Sequence, residues 1–134
     1  MALIRWDDKY LVGEKQIDDE HRYLFELINE FYDGYMEDRD RARVLALFNR
    51  LVEYAQRHFT NEEALMQRSG YPDFDAHRGR HEKLFEQVFA LNARLQDRAV
   101  NPTHDTVQFL KTWLSDHIML QDLVLGAHLA SLKK

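Results

Sequence analysis

A chain of 134 residues that is 45% hydrophobic and 31% charged can bury a core as one domain without covalent staples. Its net charge of −5, with basic residues scattered among acids, gives no electrostatic footprint for nucleic acid, and the lack of cysteine excludes disulfides, thiolate metal sites and thiol nucleophiles. Any metal must be held by nitrogen and oxygen. The opening stretch, MALIRWDDKYLVGEKQ, carries Arg5, Asp7, Asp8 and Lys9 where a signal peptide needs an apolar run. No segment approaches the roughly 18 apolar residues of a membrane span. The sequence therefore reads as a cytoplasmic protein with no membrane span.

The single domain, 1–134, divides into an N-terminal extended arm over 1–17 and helices over 18–37, 41–68, 73–97 and 102–132. In the arm, Trp6, Tyr10, Leu11 and Val12 are suited to lie across the outside or one end of the fold. The first helix starts at Asp18 or Asp19, either of which can cap it. Its stripe of His21, Leu24, Phe25, Ile28, Phe31 or Tyr32, and Tyr35 follows the spacing of a buried face. Asp38 to Asp40 form a polar turn, with Asp40 capping the second helix, whose stripe runs Val44, Phe48, Leu51, Ala55, His58, Glu62, Leu65. A histidine and a carboxylate thus sit on an apolar seam. Gly70, Tyr71 and Pro72 turn the chain back. The third helix, capped by Asp73, carries Phe74, His77, His81, Leu84 or Phe85, Val88, Leu91 or Asn92, and Leu95. Asn101 can cap the fourth helix and Pro102 can occupy its first turn. Four helices joined by short loops make an all-α, antiparallel up-down-up-down four-helix bundle.

The fourth helix breaks the pattern. One stripe runs Val107, Leu110, Leu114, His117 and another runs Asp122, Leu125, Leu129, Leu132, but five residues separate them. In a regular α-helix His117 and Asp122 would stand about 140° apart, too far for both to reach one cluster. The spacing predicts a one-residue slip, a π-bulge, between them. Leu120 and Val124 blur the count, because they would continue the first stripe with no slip at all.

Collected by helix, the inner faces carry His21, then His58 and Glu62, then His77 and His81, then His117 and Asp122. Residues four apart on a helix lie within about 40° of one another, so each spaced pair points one way. A lone histidine on an apolar face is most simply a hydrogen-bonded core residue. Seven polar groups with no partner but one another are a different matter, since each unsatisfied one costs about 1–3 kcal/mol. A shared metal removes that cost. Imidazole and carboxylate suit iron, zinc, manganese and copper alike. His128, three turns beyond His117, and His104, in or beside a loop, lie outside the set.

The segments VGEKQIDDEH around His21, HFTNEEALM from His58, GYPDFDAHRGRH up to His81 and WLSDHIMLQD up to Asp122 resemble the hemerythrin family, and within it the single-domain bacterial branch, the bacteriohemerythrins. Together they touch all four helices and fill the pattern H…HxxxE…HxxxH…HxxxxD. The resemblance implies a non-haem di-iron centre, two Fe ions with an oxo or hydroxo bridge, that binds dioxygen reversibly for transport, storage or delivery. By the same resemblance His77, His81 and His117 hold one iron and His21 and His58 the other, with Glu62 and Asp122 bridging both. Dioxygen then occupies the open position of the five-coordinate iron as hydroperoxide, in a pocket lined by Leu24, Phe59, Trp113, Leu114 and Ile118.

Enzyme activity is not expected. No Glu has a His three residues on, as ferritin-like di-iron enzymes require, and His81-Glu82 lacks the second histidine of a zinc protease. The alternative is an oxygen- or iron-sensing module acting through a partner protein. The sequence ends with Lys133-Lys134 after the last helix, which favours a free-standing carrier whose oxygen passes to an oxygen-consuming enzyme. Iron storage is a third reading that the ligand residues leave open.

Overall fold

The apolar stripes account for the packing of the computed structural model, which describes residues 4–38, 41–97 and 104–132. Helix α1 spans Lys15–Asp33 and continues through a π-helical turn, Gly34–Asp38; α2 spans Arg41–Arg68 and α3 Phe74–Gln96. The fourth helix is α4, His104–His117, a π-helical turn at Ile118–Asp122, and α5, Leu123–Ser131. Among the described residues there is no strand, and no helix is long and apolar enough to cross a membrane. The result is the antiparallel four-helix bundle, with α2 packed against both α1 and α3, and α4 returning beside α1.

Phe48, Leu51, Ala55, Val88, Leu95, Val107 and Leu110 of the expected stripes are fully buried, with Phe31 against Phe48 at 5.2 Å between ring centroids. Each of these side chains other than that of Ala55 contributes about 1.5–3 kcal/mol relative to exposure. Gly70, at φ 65°, ends α2 in the left-handed conformation that glycine tolerates, and the Tyr71 N–H closes the turn on the Met66 carbonyl at 3.0 Å.

The fourth helix resolves the ambiguity in its sequence. Leu120 and Val124 are 66% and 52% exposed, whereas Ile118, Asp122 and Leu125 are buried. The π turn supplies the extra residue, so the seam passes from His117 to Asp122 on one face. The second stripe ends at Leu129, because Leu132 is exposed.

Other expectations are corrected. The first helix begins at Lys15, ahead of residue 18, and neither Asp18 nor Asp19 caps it. Glu14 holds the cap position without a side-chain hydrogen bond. Asp18 instead accepts from the backbone N–H groups of Val12, at 2.7 Å, and Gly13, at 3.1 Å, so it ties the arm to the bundle. Asp19 lies on the exposed face, paired with Lys15 at 2.7 Å. Asp73 stands at the cap position of α3 but makes no cap bond. Asp40, Asn101 and Pro102 lie outside the described residues.

The arm runs along α1 and then reaches α5. Trp6 and Tyr10 set their rings edge-on to Phe25, and Asn29 exchanges two hydrogen bonds with the backbone of Ile4, at 3.0 and 2.9 Å. At its far end Val12 lies directly on Gly126, where an added Cβ would collide with the Val12 carbonyl. Gly126→Ala is therefore expected to destabilise the protein by about 1–3 kcal/mol, read from the urea midpoint. A midpoint equal to the parent's would show that the arm yields freely.

Candidate metal centre

Seven polar side chains meet at mid-bundle: His21 from α1, His58 and Glu62 from α2, His77 and His81 from α3, His117 from the end of α4 and Asp122 from the π turn. None is more than 3% exposed. Each arrives on an apolar seam, and the π turn brings Asp122 round to meet the others.

The two carboxylates divide their oxygens. Glu62 Oε1 lies 2.8 Å from His77 Nε2 and 3.1 Å from His81 Nε2, while its Oε2 lies 3.3 Å from His58 Nε2 and 3.8 Å from His21 Nε2. Asp122 Oδ1 is 3.0 Å from both His77 Nε2 and His117 Nε2, and its Oδ2 is 2.9 Å from His21 Nε2. The donors thus fall into two groups, Glu62 with His77, His81, His117 and Asp122, and His21 with His58, Glu62 and Asp122. Both carboxylates belong to both groups.

The donor atoms fit cations better than they fit one another. Two pairs of ring nitrogens, His21 with His58 and His81 with His117, face each other Nε2 to Nε2 at 3.1 Å. His77 Nε2, Glu62 Oε2 and both Asp122 oxygens are buried and, despite short distances, have no aligned hydrogen-bond partner. Ring nitrogens and carboxylate oxygens that converge on shared points are what a coordinated ion satisfies.

The outer edges of three rings are fixed. His58 Nδ1 donates to Glu20 Oε1 at 2.7 Å, His81 Nδ1 to Glu63 Oε2 at 3.1 Å and His117 Nδ1 to Gln121 Oε1 at 3.0 Å. A carboxylate or amide oxygen can only accept, so each bond puts a proton on Nδ1 and leaves Nε2 facing inward, free to bind a metal once any second proton is displaced. Sequence reasoning missed these partners and Asn61, whose amide donates to Glu20 Oε2 at 2.8 Å. Two of them carry a local signal: Glu63 and Gln121 each sit beside a carboxylate of the cluster, and Gln121 is four residues after His117. Glu20 has none, because its histidine lies 38 residues away on another helix.

Without metal the cluster favours charge pairs. Burial would depress His58 and His117, but hydrogen bonds to Glu20 and Glu62 lift His58 to about 9, and the Asp122 and Glu62 carboxylates lift His117 to about 10. His77 is raised in the same way. Burial opposes ionisation of Glu62 and Asp122, yet the surrounding histidines hold both well below the usual carboxylate range. At pH 7.5 the metal-free site therefore holds protons that a metal ion must displace. The calorimetric enthalpy of loading is expected to vary with the ionisation enthalpy of the buffer, and affinity to rise with pH until it levels near pH 10. An enthalpy independent of buffer would contradict the protonated site.

The five expected pocket residues, Leu24, Phe59, Trp113, Leu114 and Ile118, are all buried in the apolar core. Phe59 stacks on His81, 4.2 Å between centroids and 15° from parallel, and meets His117 edge-on at 5.7 Å. The Trp113 N–H is spent on the Leu84 carbonyl at 3.1 Å, so it offers no donor to the cluster. His128 bonds the Ser69 carbonyl at 3.0 Å and stands outside the cluster, as expected.

Residues 12–129 match the family model of the hemerythrin HHE cation binding domain. The chain is 30% identical to the bacteriohemerythrin of Methylococcus capsulatus, over 98% of this chain and 100% of that one. It is 33% identical to the bacteriohemerythrin of Stenotrophomonas maltophilia, over 91% of this chain and 78% of that one. Among solved structures, a wild-type hemerythrin superposes with a TM-score of 0.90 at 29% identity, covering 96% of this chain and 99% of that one.

Proposed function

The chain belongs to the hemerythrin family, and from that premise we propose that it binds dioxygen reversibly, as a carrier or store, at a centre of two iron ions held in the buried cluster. It works without turning over a substrate and can hand its oxygen to an oxygen-consuming enzyme. The observation that carries this reading is the inequality of the two donor groups. Five donors, including His77, His81 and His117, surround one position, and four, including His21 and His58, surround the other, with Glu62 and Asp122 in both. The poorer group is one protein donor short of the other, which leaves a coordination position for a small exogenous ligand.

A pair of ferrous ions supplies the two electrons that dioxygen takes up and returns. The protein supplies the rest. Glu62 and Asp122 neutralise part of the cationic charge in a low-dielectric interior, where any net charge is costly. Neutral imidazoles add donors without adding charge. Leu24, Phe59, Leu114 and Ile118 have no side-chain hydrogen-bond donor and Trp113 has its donor engaged, so the wall excludes the water and protons that would carry reduced oxygen away.

Shortening one wall residue tests that exclusion. Leu114, 2% exposed and three residues from His117, is expected on change to Ala to speed autoxidation several-fold at constant iron content. A rate equal to the parent's would remove Leu114 from the wall. The function itself is tested by the optical spectrum of the reduced, iron-loaded protein in air and again under argon. A ligand-to-ferric absorption band that appears, disappears and returns over repeated cycles supports reversible binding; irreversible bleaching to the oxidised form contradicts it.

A further inference from the structure

The imidazoles of the cluster are backed unequally. His58, in the four-donor group, donates to a full carboxylate at 2.7 Å, and that carboxylate, Glu20, is only 12% exposed. Its second oxygen is held by Asn61 at 2.8 Å and reached by Gln16 at 3.4 Å. In the five-donor group the contacts are weaker. Glu63 stands 3.1 Å from His81, is 26% exposed and is shared with Arg78 at 3.9 Å; His117 has only the neutral amide of Gln121. The remaining imidazole of the four-donor group, His21, has no partner at Nδ1.

A hydrogen bond to a charged acceptor is roughly twice as strong as one to a neutral acceptor, and its strength grows as water is withdrawn. A carboxylate drawing on the Nδ1 proton pushes electron density through the ring to Nε2, and a richer donor favours the more highly charged metal.

We propose that Glu20, clamped by Asn61, is a positioning residue that strengthens His58 as a donor and makes the four-donor half of the centre easier to oxidise than a neutral partner of His58 would make it. The role rests on the two-ion reading given above. It adds donor strength on the side that has one protein donor fewer and a coordination position for the ligand that takes up the electrons. Glu20 does not touch the metal or the ligand; it acts only through His58.

The test uses the full chain loaded with iron and compares Glu20→Gln, Asn61→Ala and Glu63→Gln with the parent. Two readouts apply: release of each iron to a chelator, and the midpoint potential of the centre. Glu20→Gln keeps a hydrogen-bond acceptor but removes the charge. It is expected to bind two irons, to lose one of them about 10–100 times more readily while the other is unchanged, and to show a more positive potential. Asn61→Ala leaves Glu20 in place but frees it toward water, and is expected to shift both readouts in the same direction by less. Glu63→Gln is expected to affect the other iron, also by less.

A tether between α1 and α2 with no electronic role would loosen both irons together and leave the potential where it was; that result overturns the proposal. Asn61 is half-buried, so its variant decides the question even if Glu20→Gln does not fold. A parent that never takes two irons would overturn the two-ion reading itself. A parent with two irons and a Glu20→Gln variant indistinguishable from it overturns the role of Glu20 alone.

Discussion

Asp122→Ala is expected to lower the metal content from two ions per chain to one at most and to abolish oxygen uptake. Asp122 is fully buried and directs one oxygen at His77 and His117 and the other at His21. Its loss leaves one group with four donors and the other with three, and leaves Glu62 alone to offset the charge of two cations. The second cation then has neither the ligands nor the counter-charge to stay in a dry interior. Gln121→Ala makes the control: it removes a partner of His117 but no donor, so two ions should remain, bound about 10–100 times more weakly at most. Two ions retained in Asp122→Ala would show that the aspartate does not bridge.

The position of Asp122 also shows what the sequence could and could not convey. The histidines and Glu62 fall on stripes whose spacing is set by helix geometry, so their convergence was legible once the number of helices was known. The five-residue step from His117 to Asp122 broke that rhythm, and the break predicted the π turn that the structure contains. Leu120 and Val124 argued against it, because their spacing continues the first stripe without a slip. Only the exposure of those two side chains decides the phase, and exposure depends on helices far away in sequence.

Where contacts are non-local and polar, the sequence was silent or misleading. Asp18 has the composition of a helix cap, yet its carboxylate is occupied by the arm's backbone at Val12 and Gly13, and the helix begins one turn earlier. Glu20 looks like a solvated residue of an acidic run until α2 brings His58 against it. The π turn at Gly34–Asp38 has no comparable signal, because no ligand or strict stripe crosses it to register the slip.

Removing the metal is expected to have the second large effect, on stability. In the metal-free protein Glu62, Asp122 and His77 are held in buried charge pairs whose alignment is poor, so their burial is only partly compensated. Loading reverses this. An ion present at a free concentration one hundred times its dissociation constant adds about 2.7 kcal/mol to folding, and two such ions add roughly twice that. With about 3–5 °C of melting temperature per kcal/mol for a chain of this size, chelation should lower the melting temperature by on the order of 15 °C or more. Calorimetric scans of loaded and stripped protein check it. Equal melting temperatures would mean that the ions sit on the surface or are not bound at all. In Asp122→Ala the gap should shrink by half or vanish, since at most one ion remains to contribute.

The most direct measurement is anomalous diffraction at the iron edge from crystals of the loaded protein. Two peaks are expected inside the bundle, both within bonding distance of Glu62 and Asp122, one joined to His77, His81 and His117 and the other to His21 and His58 with a coordination position left over. A single peak, or a second peak away from the two carboxylates, would contradict the two-metal centre on which the function depends.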